Sequence, residues 1–556
     1  MSSSTKKQIR KEIKANAKAE RQRQEQAEAK KLKIMTIVFV TVIIAVAAIF
    51  LITNAVNSIN RNGVFEKNSV AATVGDTEIN SVIMNYYFMD TVSMEYSEKS
   101  EIYGDYTSSY FTSMGLDLSK PLNEQTYNEE SGETWADYFL NKAYENLKSD
   151  YALYELAQNE NFQLPEDIQT NLDTMQSNIQ LSAAFSGASS VDAYLRSIYG
   201  NGADEENYME YQTISATASA YYNAHANSIT YTDADYRAYE NAENRYNNYS
   251  AYSFHSYYVN HTSFLTGGTT SEDGKTTYSD EETAAARKAA EAAAMTLAGS
   301  TSVEELDAAI ADLSYNKDKT EKPKSTLNTD VAHTSLHEDY AKWLGAEGRT
   351  ENDIQYFPSK STTTVDGEEK EVINGYYVLM FKSRNDNLDK LDNVRHILVN
   401  FEGGTTDDKG NTTYSDAEKA ASKAAAEALL KQWKDGEATE ESFIKLAHDN
   451  TDDTASAETG GLYEGIHKDS NYVESFRSWA IDSSRKVGDT GIVESPYGYH
   501  IMYYVGEHEL TYRDLMIKNE MLTADMEKWH TGVIDSVSFE VGDTDYIKLD
   551  MIYTTA

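Results

Sequence analysis

Apolar and polar positions follow two different periods along this chain. Between residues 130 and 245, apolar side chains recur at helical spacing, as at Trp135 and Tyr138, and predict a series of long helices. In 250–384 and 391–508, short apolar runs typical of strands stand at both ends, with Ala-rich helical segments between them. The pattern therefore predicts an α+β protein in which a helical part is followed by two mixed domains.

A hairpin is predicted before the helices. Residues 70–80 contain two short apolar strands joined at Gly75-Asp76, and Asn80 or Ser81 is the expected N-cap of the following helix. The helices beyond it carry aromatic stripes, which are typical of a plain core. A cradle whose remaining apolar surface binds unfolded chains is the alternative, and the sequence leaves both interpretations open.

The C-terminal region also has a regular pattern. Residues 510–529 predict an amphipathic helix, and Val537–Val541 and Tyr546–Leu549 resemble two strands. These strands are expected to return to the N-terminal helical part and complete it.

The N-terminal region has a basic segment followed by a long apolar run. Lysines and arginines outnumber acidic residues in 1–33, and 34–53 is uncharged and close to the ~20 residues that a helix needs to cross a bilayer. Because the basic residues precede the run, the positive-inside rule places the N-terminus in the cytoplasm and the bulk of the chain outside. A cleaved signal peptide is the alternative, although its apolar core is usually about 7–15 residues long.

An internal repeat connects the two mixed domains. Two segments recur at one offset: Gly267-Gly268-Thr269-Thr270 as Gly403-Gly404-Thr405-Thr406, and Thr276-Thr277-Tyr278-Ser279-Asp280 as Thr412-Thr413-Tyr414-Ser415-Asp416. The acidic residues around them do not have the spacing of an EF-hand calcium loop, so a solvated surface hairpin is expected.

The two copies differ at two histidines. When the opening strands are aligned, the first copy has Ser256 where the second has His396. At the closing strands, the first copy has Tyr377 where the second has His500. A duplicated fold with one altered site suggests one active copy and one structural or binding copy.

Composition narrows the possible functions. The formal net charge of −41 argues against DNA or RNA as partners and is compatible with basic or unfolded polypeptides. With no cysteine, the chain can form neither a disulfide nor a thiol nucleophile. The 11 histidines form no HExxH pattern, and there is no G-x-S-x-G motif, so neither a metal cluster nor hydrolase chemistry is expected.

Four short segments of the second copy follow one another within about one domain length. They are Arg395-His396-Ile397-Leu398, Phe443 with Leu446-Ala447, Gly460-Gly461-Leu462, and Tyr497-Gly498-Tyr499-His500-Ile501. Each is weak alone, but in this order they resemble the parvulin family of peptidyl-prolyl isomerases. The resemblance covers 391–508 well and 250–384 as a degenerate copy. It implies two domains, each an antiparallel sheet with surrounding helices, and an isomerase activity that needs no cofactor.

The resemblance also implies roles for individual residues. His396 and His500 correspond to the paired histidines at the base of the parvulin site. Asp453 falls where the family has a cysteine or aspartate, and Ser495 where a hydroxyl supports the histidines. The substrate proline is expected to meet a further group, in which Tyr472 departs from the usual methionine or leucine: Leu462, Tyr472, Phe476 and Tyr497. No basic cluster for binding phosphate accompanies them, so phosphoserine–proline specificity is not expected.

The layout of the chain is similar to that of PrsA-like extracellular foldases, with a helical chaperone part like that of PrsA and SurA. Those lipoproteins carry a lipid-bearing cysteine, whereas a single transmembrane helix is expected to anchor this chain. The predicted domains are a basic tail (1–33), the anchor (34–56), a linker (57–68), the helical chaperone part (69–249), a degenerate parvulin-like domain (250–387), a parvulin domain (388–510) and a returning C-terminal segment (511–556).

The sequence therefore predicts a membrane-anchored extracytoplasmic foldase that isomerises X-Pro bonds in unfolded or newly exported polypeptides. Residues 34–56 are expected to anchor the chain in the membrane, and no nucleic acid is expected as a partner. The sequence leaves the oligomeric state open, and a homodimer is one possibility. Two alternatives remain. One is a non-catalytic chaperone with the parvulin fold, and the other is a surface-binding protein built of repeats.

Overall fold

The structure is a computed structural model. It describes residues 53, 59–272, 274–365, 368–407 and 412–552. The predicted basic tail and almost all of the predicted anchor lie outside these residues. Within the described ranges, no helix combines the length and the apolar character needed to cross a membrane. The chain divides into two compact units, one formed by residues up to Ile229 and from Asp525 onward, the other by Thr230–Ala524.

The first unit is mostly helical. Before Ile229 its strands form two short hairpins, β1 (Val70–Val74) with β2 (Thr77–Asn80) and β3 (Thr126–Asn128) with β4 (Glu133–Thr134). Its helices are α1 (Val64–Asn68), α2 (Ser81–Tyr103), α3 (Thr107–Ser113), α4 (Trp135–Asn159), α5 (Glu166–Phe185), α6 (Val191–Tyr199) and α7 (Glu205–Ser228), with 3-10 turns at Gly104–Tyr106 and Leu122–Glu124.

The predicted hairpin and the start of the next helix are confirmed. Strands β1 and β2 pair antiparallel around a turn in which Gly75 has a φ of +58°, a conformation that favours glycine. The Asn80 side chain then accepts hydrogen bonds from the backbone N–H groups of Val82 and Ile83 and so begins α2. Local sequence therefore accounts for the entry into the helical part.

Buried tyrosines in the first unit are paired with a carboxylate. Tyr211 on α7 and Tyr199 on α6 donate hydrogen bonds to the two oxygens of Asp90 on α2, over 2.8 and 3.2 Å. The ring of Tyr86 packs against both, with centroid distances of 5.4 and 4.8 Å. Burial raises the pKa of Asp90, and the two hydroxyls oppose that shift. The rings of these tyrosines thus add apolar surface to the core, while the hydroxyls of Tyr199 and Tyr211 have a hydrogen-bond acceptor in Asp90.

The second unit contains the two mixed domains. Its strands are β5 (Ala251–Asn260), β6 (Thr269–Thr270), β7 (Thr276–Thr277), β8 (Thr326–Ala332), β9 (Ile354–Val365), β10 (Glu368–Asn385), β11 (Lys390–Asn400), β12 (Thr405–Thr406), β13 (Thr412–Thr413), β14 (Leu462–Ile466), β15 (Thr490–Glu494) and β16 (Gly498–Thr511). Its helices are α8 (Asp233–Asn241), α9 (Asp280–Leu297), α10 (Val303–Ala311), α11 (Glu338–Leu344), α12 (Asp416–Asp435), α13 (Glu440–Asn450) and α14 (Glu474–Ala480), with 3-10 turns at Ala242–Tyr249, His261–Phe264 and His333–Ser335.

Two four-stranded sheets in this unit have the same strand order. The first sheet is ordered β8-β5-β10-β9 and the second β14-β11-β16-β15, so the opening and closing strands are paired at the centre of each. All neighbouring strands are antiparallel. An exposed hairpin of threonines follows the opening strand in both cases, β6 with β7 and β12 with β13. The repeat in the sequence is therefore matched by a repeat in topology.

The second sheet has a separate core on each face. One face packs on α12 and α13 through a core that includes Ile397, Ile501, Trp433 and Phe443. The other packs on α14 through a core that includes Val394, Met502, Phe476 and Trp479. Because side chains alternate along a strand, the even-numbered residues of this part of β11 and β16 face α14. His396 and His500 belong to that face.

The C-terminal segment returns to the first unit. Helix α15 (Tyr512–Asp535) begins in the second unit and ends in the first, and β17 (Phe539–Val541) pairs with β1. The predicted strand at Tyr546–Leu549 is wrong, since this segment forms turns. The backbone N–H of Lys548 donates instead to Asn85 Oδ1 on α2 over 2.8 Å, and Ile547 is buried in the core of the first unit. The domain boundaries themselves stay predictions.

Arg513 forms a buried polar junction in the second unit. Its guanidinium is fully buried and donates hydrogen bonds to Glu240 Oε2 at 2.7 Å, Tyr246 O at 2.6 Å and Asp386 O at 3.3 Å. It thereby joins the start of α15 to α8, to the 3-10 turn Ala242–Tyr249 and to the connection between the two sheets. Removing one partner of such a buried ion pair destabilises the fold, because the other charge stays buried without compensation.

We expect Glu240→Gln to lower the free energy of unfolding of this unit by about 3 kcal/mol, because the Arg513 guanidinium would stay buried without its counter-ion. Urea unfolding followed by tryptophan fluorescence measures the change. The matched control, Asp435→Asn, removes an exposed ion pair with Lys431 and should cost less than about 1 kcal/mol. Equal losses in the two variants would contradict a special role for the buried junction.

Candidate active site

Two paired strands place the two histidines side by side. In the register of β11 and β16, His396 lies opposite Met502 and Leu398 lies opposite His500. The histidines are therefore diagonal neighbours on one face of the sheet, a spacing that long side chains can bridge. Their Nδ1 atoms are 3.0 Å apart, and the two rings, which we call the histidine pair, are buried and inclined by only 24°.

Hydrogen bonds extend the histidine pair at both ends. At one end, His396 Nε2 lies 2.8 Å from Asp453 Oδ2. At the other, His500 Nε2 lies 2.9 Å from the hydroxyl of Ser495, which also accepts the backbone N–H of Tyr497 over 3.2 Å. The structure thus brings all four side chains that the sequence singled out as catalytic into one connected network. Their catalytic roles stay predictions.

The loop after α13 is tied to the strand that carries His396. The backbone N–H of Leu398 donates to Thr451 Oγ1 over 3.0 Å, and the backbone N–H of Asp452 donates to Leu398 O over 2.9 Å. The Asp452 carboxylate in turn accepts the backbone N–H of Asn400 over 2.8 Å. These contacts hold the loop along β11, so that Asp453 reaches the imidazole of His396.

A close approach of two backbone segments explains the paired glycines before β14. The backbone N–H of His396 donates to Gly461 O over 2.8 Å. Gly461 has a φ of +74°, and a Cβ there would lie 2.1 Å from His396 O. Only glycine fits at this position without displacing the strand that carries His396. The glycine motif therefore serves the placement of the histidine pair.

Sequence reasoning missed two residues of the network. Ser456 and Tyr463 both donate hydroxyl hydrogen bonds to Asp453 Oδ2, the second over 3.0 Å. The Ser456 hydroxyl also lies 3.4 Å from His396 Nε2. Tyr463 was next to a quoted motif and has the alternation that would put it on the histidine face, whereas nothing in the sequence around Ser456 pointed to Asp453.

Three aromatic side chains, Phe476, Tyr463 and Tyr472, lie beside the histidine pair, and we call them the aromatic wall. The ring of Phe476 on α14 meets both imidazoles edge to face, at centroid distances of 5.2 Å to His396 and 5.4 Å to His500. Tyr463 and Tyr472 pack beside it, 5.8 and 5.5 Å from its centroid. Of the residues predicted to meet the substrate proline, Phe476 thus lies against both histidines, and Tyr472 packs on Phe476.

The other two residues predicted to bind substrate lie differently. Leu462 is opposite Arg395 in the register of β14 and β11, and Arg395 turns towards α13, where it donates to Glu440 over 2.9 Å. Leu462 is therefore on the far face of the sheet, and Tyr463 occupies the near face instead. Tyr497 is at the Ser495 end of the network, with 64% of its surface exposed.

The geometry can now be compared with known proteins. A family model described as PPIC-type PPIASE domain matches residues 377–507. This part of the chain is a parvulin-type peptidyl-prolyl isomerase domain. The match includes the histidine pair, Asp453, Ser495 and the aromatic wall. We refer to 377–507 as the parvulin domain.

Solved structures of PrsA proteins match a part of the chain. PrsA from Bacillus subtilis is 26% identical, with a TM-score of 0.19, and the match covers 28% of this chain and 54% of that chain. The peptidylprolyl isomerase PrsA from Bacillus anthracis is 22% identical, with a TM-score of 0.17, covering 27% of this chain and 59% of that one. The chain thus spans less than two thirds of their length, and at such TM-scores the domain assignment rests on the family model. No curated protein matches the chain.

Charge is unevenly distributed in the site of the parvulin domain. The hydrogen bond from His396 is the main cause that holds the pKa of Asp453 well below its usual range, so this carboxylate is ionised. Burial, followed by the neighbouring His396, lowers the pKa of His500 to about 4. Burial and the Asp453 charge raise the pKa of Tyr463 to about 12, so its hydroxyl stays a donor. The site at neutral pH therefore contains a fixed anion and a neutral His500.

The arrangement suits binding and polarisation more than covalent chemistry. The Ser495 hydroxyl lies within reach of the carbonyl of Gly498 at 3.2 Å as well as of His500, which keeps it inside the network. In the part of the chain that the structure describes, no three histidine or acidic side chains are grouped as metal ligands. What the site offers is a rigid, buried polar floor with an aromatic wall beside it.

We expect His500 to bind a proton only near pH 4 in the folded protein, because burial disfavours its charged form. The unfolded chain binds that proton near pH 6.5. Stability should therefore be complete above about pH 6.5 and fall as the pH drops towards 4, since the unfolded state takes up the proton first.

An NMR titration of the His500 ring measures the pKa directly, and thermal unfolding between pH 7 and pH 4 measures the slope. His500→Gln is the control, and it should make the slope shallower in this window, where other partly buried histidines such as His467 also contribute. A titration midpoint near pH 6.5 in the folded protein would contradict the assignment of His500 as a buried neutral imidazole.

Proposed function

We propose that the chain is a membrane-anchored extracytoplasmic foldase that catalyses cis/trans isomerisation of X-Pro bonds in exported proteins and binds their unfolded segments. The observation that carries the catalytic half is the contact of Phe476 with both rings of the histidine pair inside a parvulin domain. It joins an apolar surface for a proline ring to a buried polar floor.

This geometry fits a reaction in which no bond is broken. Rotation about an X-Pro amide has a barrier of about 18–20 kcal/mol, set by amide resonance. Catalysis requires the site to bind the twisted amide better than either planar isomer. In our proposal the proline ring packs on Phe476 and Tyr472, and the histidine pair with Asp453 and Ser495 fixes the polarity of the floor under the rotating amide.

The first sheet belongs to the proposal as a degenerate parvulin-like domain. Its strand order is that of the second sheet, and in its register Tyr258 lies opposite Tyr377, as Leu398 lies opposite His500. The two tyrosine rings are 4.6 Å apart. Since Ser256 and Tyr377 replace the histidine pair, we assign this copy a structural or binding role and no isomerase activity.

The helical unit is the proposed chaperone part. A cavity of about 870 Å³ lies between α2, α4 and α7, and Met94 at its wall is 66% exposed. Most of the lining is polar or acidic, including Glu95, Glu98 and Glu101, so the space supports the binding of polar or basic segments of unfolded chains, with Met94 as its exposed apolar contact. The alternative in which the whole chain is a non-catalytic chaperone with the parvulin fold rests on the same observation.

We expect the chain from residue 57 onward to accelerate cis/trans exchange of the X-Pro bond in an Ala-X-Pro-Phe peptide. Phe476→Ala should lower that rate about tenfold or more, because it removes the side chain on which the proline ring packs. Exchange NMR measures both rates. Phe185→Ala, at a side chain that is 90% exposed in the other unit, is the control for the loss of a phenylalanine and should leave the rate unchanged. Because Phe476 is only 3% exposed, thermal unfolding must show that Phe476→Ala is still folded at the temperature of the assay. If the unaltered protein gives no exchange with several X residues, the non-catalytic chaperone is the correct interpretation.

The anchor is proposed from the sequence of 34–56 and its basic flank. We expect the full-length chain to remain in the membrane fraction after carbonate extraction, with the parvulin domain accessible to external protease. The chain from residue 57 onward, expressed without a targeting sequence, should be absent from that fraction. A released product whose N-terminus maps close to residue 53 would instead identify a cleaved signal peptide.

A further inference from the structure

One carboxylate oxygen of the active site is left without a partner. The hydrogen bonds that Asp453 accepts from His396, Ser456 and Tyr463 all end on Oδ2. Among the described residues, nothing is hydrogen-bonded to Oδ1, and 17% of the Asp453 side chain is exposed. The network therefore uses one oxygen to orient the group and leaves the other able to accept a hydrogen bond from outside.

The cations closest in sequence to the site are engaged elsewhere. Arg395, beside His396, is turned to the far face of the sheet and donates to Glu440 Oε1 at 2.9 Å and to Thr459 O at 2.6 Å. Arg477, beside Phe476, donates to Ser470 O over 3.0 Å. Neither arginine is hydrogen-bonded to Asp453, although the Thr459 carbonyl that Arg395 contacts belongs to the same loop as Asp453.

The loop that supplies Asp453 adds further negative charge. Residues 451–464 contain Asp452, Asp453, Glu458 and Glu464 and no lysine or arginine. Glu458 is exposed, two residues beyond the buried Ser456 that contacts His396. The Asp452 carboxylate is bound to the backbone of Asn400, and Glu464 alternates with Tyr463 to the far face of the sheet. The Asp453 end of the floor thus combines an unpartnered anionic oxygen with one further exposed carboxylate, Glu458, whereas the Ser495 end is formed by hydroxyl and backbone groups.

We propose that the parvulin domain selects proline segments that carry lysine or arginine next to the proline, with Asp453 Oδ1 as the contact for the cation. The proposal rests on the isomerase function above and names its substrate class. An ammonium or guanidinium group supplies the donor that Oδ1 lacks. An acidic or phosphorylated neighbour would meet an ionised carboxylate at the same point and be rejected.

The test uses three peptides of the form Ala-X-Pro-X-Phe, with X as Lys, Gln or Glu on both sides of the proline. Placing the charge on both sides makes the result independent of the direction in which the peptide crosses the floor. We expect kcat/KM from exchange NMR to decrease in the order Lys, Gln, Glu, by about threefold to tenfold at each step in low salt. The differences should shrink in 0.5 M salt, because the Debye length falls below about 5 Å there.

Two variants measure how much of the selectivity comes from Glu458 and how much from Asp453. Glu458→Gln should reduce the ratio of the Lys to the Glu peptide while leaving the Gln peptide unchanged. Asp453→Asn should lower the rate with every peptide, since Asp453 belongs to the network, and should reduce the ratio further than Glu458→Gln does. Asp435→Asn, at an exposed position on α12 behind the other face of the sheet, is the control and should change neither quantity.

The outcomes separate this proposal from the one it rests on. Equal rates for the three peptides, or a ratio that survives Asp453→Asn, would overturn the selectivity while leaving the isomerase intact. No exchange with any of the peptides, together with none in the Ala-X-Pro-Phe series, would overturn the isomerase and the selectivity together.

Discussion

The register between β11 and β16 is the constraint on which the site depends. The two strands are distant in the sequence, and their pairing makes His396 and His500 diagonal neighbours on one face. A shift of one residue would carry one histidine to the opposite core, because side chains alternate between the faces. The two separate cores oppose such a shift, since Ile501 and Met502 cannot exchange places without each losing its own packing partners.

Burying the polar groups of the network around the histidine pair costs free energy unless each group is hydrogen-bonded. Buried imidazoles and a carboxylate require partners, and each of them has one in the line from Asp453 through His396 and His500 to Ser495. The backbone contacts of Thr451, Asp452 and Gly461 keep these partners in reach. A rigid floor of this kind is suited to a reaction whose transition state differs from its ground states in shape and polarity.

Much of this site could be predicted from the sequence, because residues at strand ends and tight turns leave strong local signals. The two histidines were placed by motifs, Asp453, Ser495 and Phe476 were placed by the resemblance to parvulins, and the structure brings all five together. Ser456 was missed because its contact with Asp453 depends on how the loop folds. Leu462 was assigned from its motif, although the glycines before it are what the fold requires, and the alternation of β14 gives the near face to Tyr463. The strand expected at 546–549 is not formed, because the backbone N–H of Lys548 donates to the side chain of Asn85 and not to a neighbouring strand. This tertiary contact, like that of Ser456, leaves no local signal in the sequence.

The second unit is inserted between two parts of the first. Strand β1 has β17 as its outer partner, and α15 leads the chain back into the first unit only after both sheets have been made. During synthesis, the outer edge of β1 in the β1–β2 hairpin stays unpaired until β17, the last described strand, has been made. The order of synthesis thus allows both four-stranded sheets to form before β17 adds the third strand to the sheet of the first unit.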